Sequence, residues 1–165
     1  SHYDNATLYN DSIVAQIVKR FQKQDAIVIY VPDHGEECYE ENRGFICRNH
    51  SAEIDWPLAH YEFEIPFWIY CSPKYIRNHR DIYRQIRKAK DKRFMTDALP
   101  HLLLYLAGIE TPTYKEEYNI LRPKYDEMRP RILKNSADYD KLRDAHLEKI
   151  KKEESKKVKK KERRN

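Results

Sequence analysis

Glycine, cysteine and long apolar runs are all scarce in this sequence. Three glycines in 165 residues, with no low-complexity block, speak against a disordered or linker-like chain. Three cysteines (Cys38, Cys47 and Cys71) are too few for a disulfide scaffold, and no CxxC pair suggests a zinc knuckle. In an oxidising compartment Cys38 and Cys47 have the spacing to close one short loop, which leaves a thiol over. No stretch stays apolar for the ~18 residues a membrane span requires, and no charged-then-apolar leader opens the chain. The first residues, SHYDNATLYNDS, already carry helical patterning. That is expected of a sequence that starts inside a domain, so the missing leader says nothing about compartment.

What is present suits one folded domain with a sizeable core, since 40% of residues are hydrophobic and 12% aromatic. The formal net charge of +5 is misleading. Residues 149–165, KIKKEESKKVKKKERRN, hold ten Lys/Arg and three Glu, whereas the other 148 residues hold 22 basic and 24 acidic side chains. With only Ile150 and Val158 apolar, this tail cannot bury enough surface to fold alone, and a solvated helix or disorder is expected. The expected organisation is therefore a domain over residues 1–140 and a lysine-rich tail over 141–165. The tail's charge suits solubilisation, or docking on nucleic acid or an anionic membrane surface.

Leu8, Ile13, Val14, Ile17, Val18 and Phe21 share a helical stripe within residues 5–23, with Asp4 or Asn5 available as a cap. Ala26 to Val31 is apolar at every position and rich in β-branched residues. This predicts a strand covered on both faces, as in parallel sheets flanked by helices, ended by Pro32. Residues 33–62 are polar and without period, and so long a loop is uncommon unless it has a function. Glu64 to Tyr70 predicts a second strand, with Pro66 near its start or on an edge. A charged helix is expected over roughly 74–92. Thr96 is placed to cap the next helix, with Pro100 in its first turn and Leu99, Leu102, Leu103 and Leu106 on one face. Gly108 then supplies a left-handed stop and Pro112 prevents continuation. Helix alternating with strand is an α/β layout.

The most informative residues are Asp33-His34-Gly35-Glu36-Glu37. In open α/β sheets ligands bind beyond the carboxyl ends of strands, which is where this cluster falls. Carboxylate and neutral imidazole are both zinc donors. Adjacent side chains on an extended strand diverge, so a shared metal requires the chain to leave strand geometry there. Pro32 before the pair and Gly35 after it allow that. The plainer alternative has Asp33 capping a turn and His34 as a loop histidine.

Tyr3-Asp4-Asn5-Ala6-Thr7-Leu8-Tyr9-Asn10-Asp11, then VIYVPDHGEE at 28–37, EIPFWIY at 64–70 and FMTDALPHLLLYLAGI at 94–109 follow in order. This set resembles the phosphoethanolamine transferase family, whose members carry a YDNT-like helix followed by a strand and DHGE. The resemblance spans about residues 3–140. It implies the C-terminal part of an alkaline-phosphatase-like α/β domain with a mostly parallel sheet flanked by helices. It further implies a bacterial inner-membrane protein with its catalytic domain facing the periplasm, tethered through an N-terminal segment absent from this chain.

By that resemblance Asp33 and His34 are metal ligands and His50 meets the substrate phosphate or a second metal, with His60 as its competitor. The family glycine before that histidine is missing here. The cofactor implied is zinc, as one or two ions, with manganese as the alternative. The family's acidic ligand, its threonine nucleophile and a further phosphate-holding histidine lie upstream of residue 1. Thr7, Thr96, Thr111 and Thr113 match neither threonine role, so no catalytic residue is assigned within this chain. His79, His101 and His146 are expected to be structural or solvent-facing. Glu36 and Glu37 are candidates to orient His34 or, more plainly, exposed loop carboxylates.

The activity implied is zinc-dependent transfer of phosphoethanolamine from phosphatidylethanolamine to lipid A or a core sugar, by way of a threonine-bound intermediate. The partners are then a phospholipid donor and the lipid A or core-sugar acceptor, with no nucleic acid. A sulfatase or phosphoglycerol transferase of the same fold is the enzymatic alternative. A non-catalytic binding module with a basic tail is the alternative from another class.

Overall fold

The computed structural model describes residues 2–47 and 53–162, in two compact units. One comprises Ser1–Val31 with Phe67–Met128, and the other Pro32–Pro66 with Arg129–Asn165.

In the first unit, α1 (His2–Phe21) is followed by β1 (Ile27–Tyr30). Further on come β4 (Trp68–Cys71), α3 (Pro73–Asn78), α4 (Arg80–Ala89) and α5 (Leu99–Leu106). The expected partner strand for β1 is present, but the pairing is a correction to the parallel arrangement. Among the described residues β1 pairs antiparallel with β4, from Ile27 opposite Cys71 to Tyr30 opposite Trp68. An apolar run reports that both faces of a strand are to be covered, not the direction in which its neighbour runs. All four β1 residues are half-buried, and Tyr30 stacks on Trp68 across the ladder with ring centroids 5.2 Å apart. Helix α1 forms where its periodicity placed it. Its apolar stripe is not buried, however: Leu8, Ile13 and Ile17 are exposed.

Ser72 joins these elements. It is wholly buried, its hydroxyl donates to the Gln24 carbonyl at 2.6 Å, and it accepts from the amides of Tyr75 at 3.0 Å and Ala26 at 3.3 Å. One side chain thus caps α3 and fixes the entrance to β1. The single helix expected over 74–92 is divided at His79, which has φ −125° and ψ 50°. Asn78 donates to Asp25 at 2.8 Å and His79 lies 3.2 Å from the same carboxylate, and these contacts accompany the break. Thr96 opens a 3-10 turn instead of capping α5 through its side chain. At the other end Gly108, φ +66°, closes a Schellman motif in which Ile109 N–H reaches Leu104 O and Gly108 N–H reaches Tyr105 O. Leu102, Ala89, Ile120 and Leu121 form this unit's core, with Phe67 and Phe94 packed on it.

In the second unit the long loop expected over 33–62 is substantially ordered. It contains β2 (Glu37–Cys38), β3 (Phe45–Cys47) and α2 (Trp56–Phe63). A second hairpin, β5 (Ile132–Leu133) with β6 (Ala137–Asp138), leads directly into α6 (Tyr139–Glu162), so the tail is helical through residue 162. Ile54, Leu58, Ala59, Leu133 and Tyr139 form the core, with Trp56, Phe63 and Leu142 against it. Cys71 carries a free thiol, and the side chain of Cys47, on which the Cys38–Cys47 loop closure depends, lies outside the described part of the chain. No helix among the described residues is long and apolar enough to cross a membrane.

Ser72→Ala removes one hydroxyl that satisfies three backbone groups, so urea titration should show a loss of about 1–3 kcal/mol. The exposed Ser155→Ala should stay within ~0.5 kcal/mol of the parent protein.

Candidate metal centre

The site is built outward from α2. Asp55 caps that helix, accepting from the Leu58 amide at 3.0 Å, and Pro57 sits in the first turn, where a missing N–H is harmless. Leu58 and Ala59 bury the inner face. On the other face Trp56 stacks between His60, at 5.5 Å, and His146 of α6, at 5.2 Å. His60 Nδ1 lies 2.9 Å from Glu64 Oε1, and the Tyr139 hydroxyl donates to the same carboxylate oxygen. Burial raises the Glu64 pKa, but Tyr139 and His60 outweigh it and leave the carboxyl below its ordinary range. Burial first, then the Glu64 charge, push Tyr139 up to about 12.

The loop bearing Asp33 and His34 is laid against the far end of α2. Gly35 N–H donates to the Glu62 carbonyl at 2.8 Å. A Cβ on Gly35 would stand 2.2 Å from the Tyr61 carbonyl oxygen, so this close approach admits no side chain. The backbone is a bend at Asp33, not a strand, and the two adjacent side chains therefore converge. His34 Nε2 lies 3.6 Å from Asp33 Oδ2.

Nδ1 of the same ring is 2.7 Å from the Gly35 carbonyl. A carbonyl can only accept, so Nδ1 carries the proton, and in the neutral form of the ring that leaves the lone pair on Nε2. The imidazole is partly buried, with 26% exposure, and the Asp33 carboxylate is open at 86%.

This donor set fits a divalent cation. In a tetrahedral shell with bonds of about 2.0–2.1 Å, neighbouring donors stand ~3.4 Å apart, close to the separation observed. A histidine that binds metal through one nitrogen almost always gives its other N–H to a carbonyl or carboxylate, as His34 does. Among the described residues no group of three or more His, Cys, Asp or Glu is arranged to hold a metal, so the Asp33–His34 pair by itself could fill only part of a shell.

Arg43 secures the loop from the other side. Its Nη1 donates to Asp55 Oδ2 at 2.6 Å, and its Nε lies 2.7 Å from Glu37 Oε1. Glu37 is fully buried and makes no contact with His34 that would orient it, contrary to both sequence expectations for that residue. Burial is the main cause of its raised pKa, with Arg43 acting against it. Burial also raises the Asp55 pKa, but the Leu58 amide and Arg43 more than offset this and hold it low.

His50 lies outside the described residues. His60, its competitor, is committed to Trp56 and Glu64. His101 accepts from the Lys115 amide at 3.1 Å, and His79 and His146 hold the positions given above. The roles of Arg43, Glu62 and Asp55 were missed in the sequence. Asp55-Trp56-Pro57 is a legible helix start, whereas the Arg43 and Glu62 contacts join parts of the chain with no shared pattern.

Residues 1–109 match the family described as Sulfatase, and the chain belongs to that family. Within it, relatives to which the chain is similar are phosphoethanolamine transferases. It is 32% identical over 128 residues to phosphoethanolamine transferase EptC of Escherichia coli O18:K1:H7, covering 76% of this chain and 21% of that protein. It is 30% identical over 94 residues to the Kdo(2)-lipid A phosphoethanolamine 7''-transferase of E. coli K12, covering 55% of this chain and 16% of that protein. The crystal structure of the C-terminal periplasmic domain of E. coli EptC in complex with Zn superposes with a TM-score of 0.66 at 30% identity, covering 85% of this chain and 39% of that domain. The alkaline-phosphatase-like α/β fold expected from the sequence is the fold these relatives have. The chain spans about a fifth of the curated relatives' length.

Two predictions test the local construction. Gly35→Ala must displace the loop from Tyr61, so thermal melts should show lower stability, by more than the ~1 kcal/mol expected of an unstrained glycine site. Tyr139 has a folded pKa of about 12 against an ordinary 10.0, so its contribution is complete below the ordinary value and is lost as pH rises towards 12. Tyr139→Phe should therefore cost about 1–3 kcal/mol at neutral pH. Urea titrations across that alkaline window should show the parent protein losing this contribution and the variant lacking that part of the loss.

Proposed function

We propose that this chain is the C-terminal part of a catalytic domain that transfers phosphoethanolamine from phosphatidylethanolamine to lipid A or a core sugar, using zinc. The observation that carries the reading is the convergence of Asp33 Oδ2 and His34 Nε2, 3.6 Å apart, with the other ring nitrogen committed to a carbonyl. Family membership supports the same class of chemistry, as does the Zn complex of the E. coli EptC domain.

Bound zinc would supply positive charge that lowers the pKa of a nucleophilic hydroxyl and stabilises the phosphoryl oxygens. The residues of this chain contribute holding and aim. Asp33 provides an anionic oxygen donor. His34 provides a neutral nitrogen donor whose tautomer is set by the Gly35 carbonyl. Gly35 and the Glu62 carbonyl keep the pair at the end of α2. His50 is assigned to the phosphate of the substrate, and the threonine nucleophile to the region upstream of residue 1.

A phospholipid donor would require the domain to work beside a membrane, and the periplasmic domain of the EptC relative supports the outer face of the bacterial inner membrane as the proposed setting. Zinc content by elemental analysis should fall to background in Asp33→Ala and in His34→Ala, in the full-length protein, together with headgroup transfer. Undiminished zinc in both variants, with folding intact by circular dichroism, would falsify the assignment.

A further inference from the structure

The most strongly charged surface of the molecule lies outside the site just described, on the distal part of α6. The first turns of this helix are held by packing: Tyr139 and Leu142 join the core around Leu58, and His146 stacks on Trp56. From Leu147 onward the side chains described are exposed, including Lys149, Lys151, Lys152, Lys156 and Lys157. Lys152 lies 3.6 Å from Glu148, and the remaining acids in the helix beyond it are Glu153, Glu154 and Glu162. The charge is segregated on the scale of the whole chain. Residues 149–165 hold ten basic and three acidic side chains, against 22 and 24 in all the rest.

The helix also lacks the features of the other uses of a long projecting helix. Beyond residue 149 the apolar side chains are Ile150 and Val158, and they are 38% and 57% exposed. No stripe exists to form a coiled coil with a second copy or to sink into acyl chains. At 3.6 residues per turn the five lysines spread around the axis, so the helix presents positive charge in every direction and no geometry for reading bases. What remains is attraction to an extended surface of negative charge.

We infer that the distal half of α6 is an electrostatic attachment to an anionic phospholipid surface. The inference rests on the reading above to this extent: a domain whose donor and acceptor are lipids works beside a bilayer, and nucleic acid is not a neighbour on that side of the membrane. A lysine near an anionic surface strengthens attachment by about fivefold. A few of them suffice to hold a domain already tethered near its substrate.

The test uses the full chain, its zinc content measured on the same preparations, in flotation with vesicles of mixed phosphatidylcholine and phosphatidylglycerol. Pure phosphatidylcholine vesicles and duplex DNA are the comparison arms. The variant is Lys151→Gln, Lys152→Gln, Lys156→Gln and Lys157→Gln combined. All four sites are exposed, and glutamine matches lysine in helix propensity, so the fold is retained. Expected are binding to the anionic vesicles only, weakening steeply as salt rises, and a loss of about a hundredfold or more in the variant at unchanged zinc content. Equal binding by parent and variant, or no preference for anionic over neutral vesicles, overturns the inference and leaves a solvated charge run. Tighter binding to duplex DNA than to the vesicles overturns it in favour of a nucleic-acid surface. Loss of zinc binding with vesicle attachment retained would count against the metal reading alone.

Discussion

The amide of Gly35 donates to the carbonyl of Glu62 at 2.8 Å, across a gap too narrow for a Cβ. That contact stops the chain from continuing as a strand, and a strand would send Asp33 and His34 to opposite sides. The Gly35 carbonyl meanwhile takes the Nδ1 proton of His34. The same residue therefore sets both the direction of the ring and the nitrogen it leaves bare. A two-donor arrangement with a fixed tautomer follows from one residue lacking a side chain.

The surface against which the loop leans must itself be rigid, and the charged residues nearby explain why it is. Arg43 holds Asp55 at the start of α2 and Glu37 in the β2–β3 hairpin. Truncating Arg43 would leave Glu37 as a buried carboxylate without its cation, which costs far more than the ion pair itself contributes. At the other end of the helix Glu64 gathers His60 and the Tyr139 hydroxyl. Polar anchors at both ends and Leu58 and Ala59 in the middle make α2 a fixed floor. Phosphoryl transfer of the kind proposed would require such support.

Much of this was legible in the residues. The buried-looking strand, the leucine helix with its glycine stop and the Asp-His pair all formed where local pattern placed them, because each depends on nearby chain geometry. What was not legible depends on partners far along the sequence. The all-apolar run of β1 could not reveal that β4 lies antiparallel to it. The break at His79 coincides with contacts to Asp25, which no helical period encodes. The polar stretch that hides α2 has low periodicity because its helix is short and carries Trp56 and His60 for specific contacts. Glu37 read as a loop carboxylate because burial of a charge is visible only once Arg43 is beside it.

The proposed function makes one chemical requirement, a cation held by an Asp33 oxygen and by Nε2 of a His34 ring whose Nδ1 stays protonated. Nitrogen-15 NMR of His34 during zinc titration reports this directly. A metal-bound shift at Nε2 with the Nδ1 proton retained is the predicted result. Ligation through Nδ1, or a ring spectrum that zinc leaves unchanged, would contradict the account.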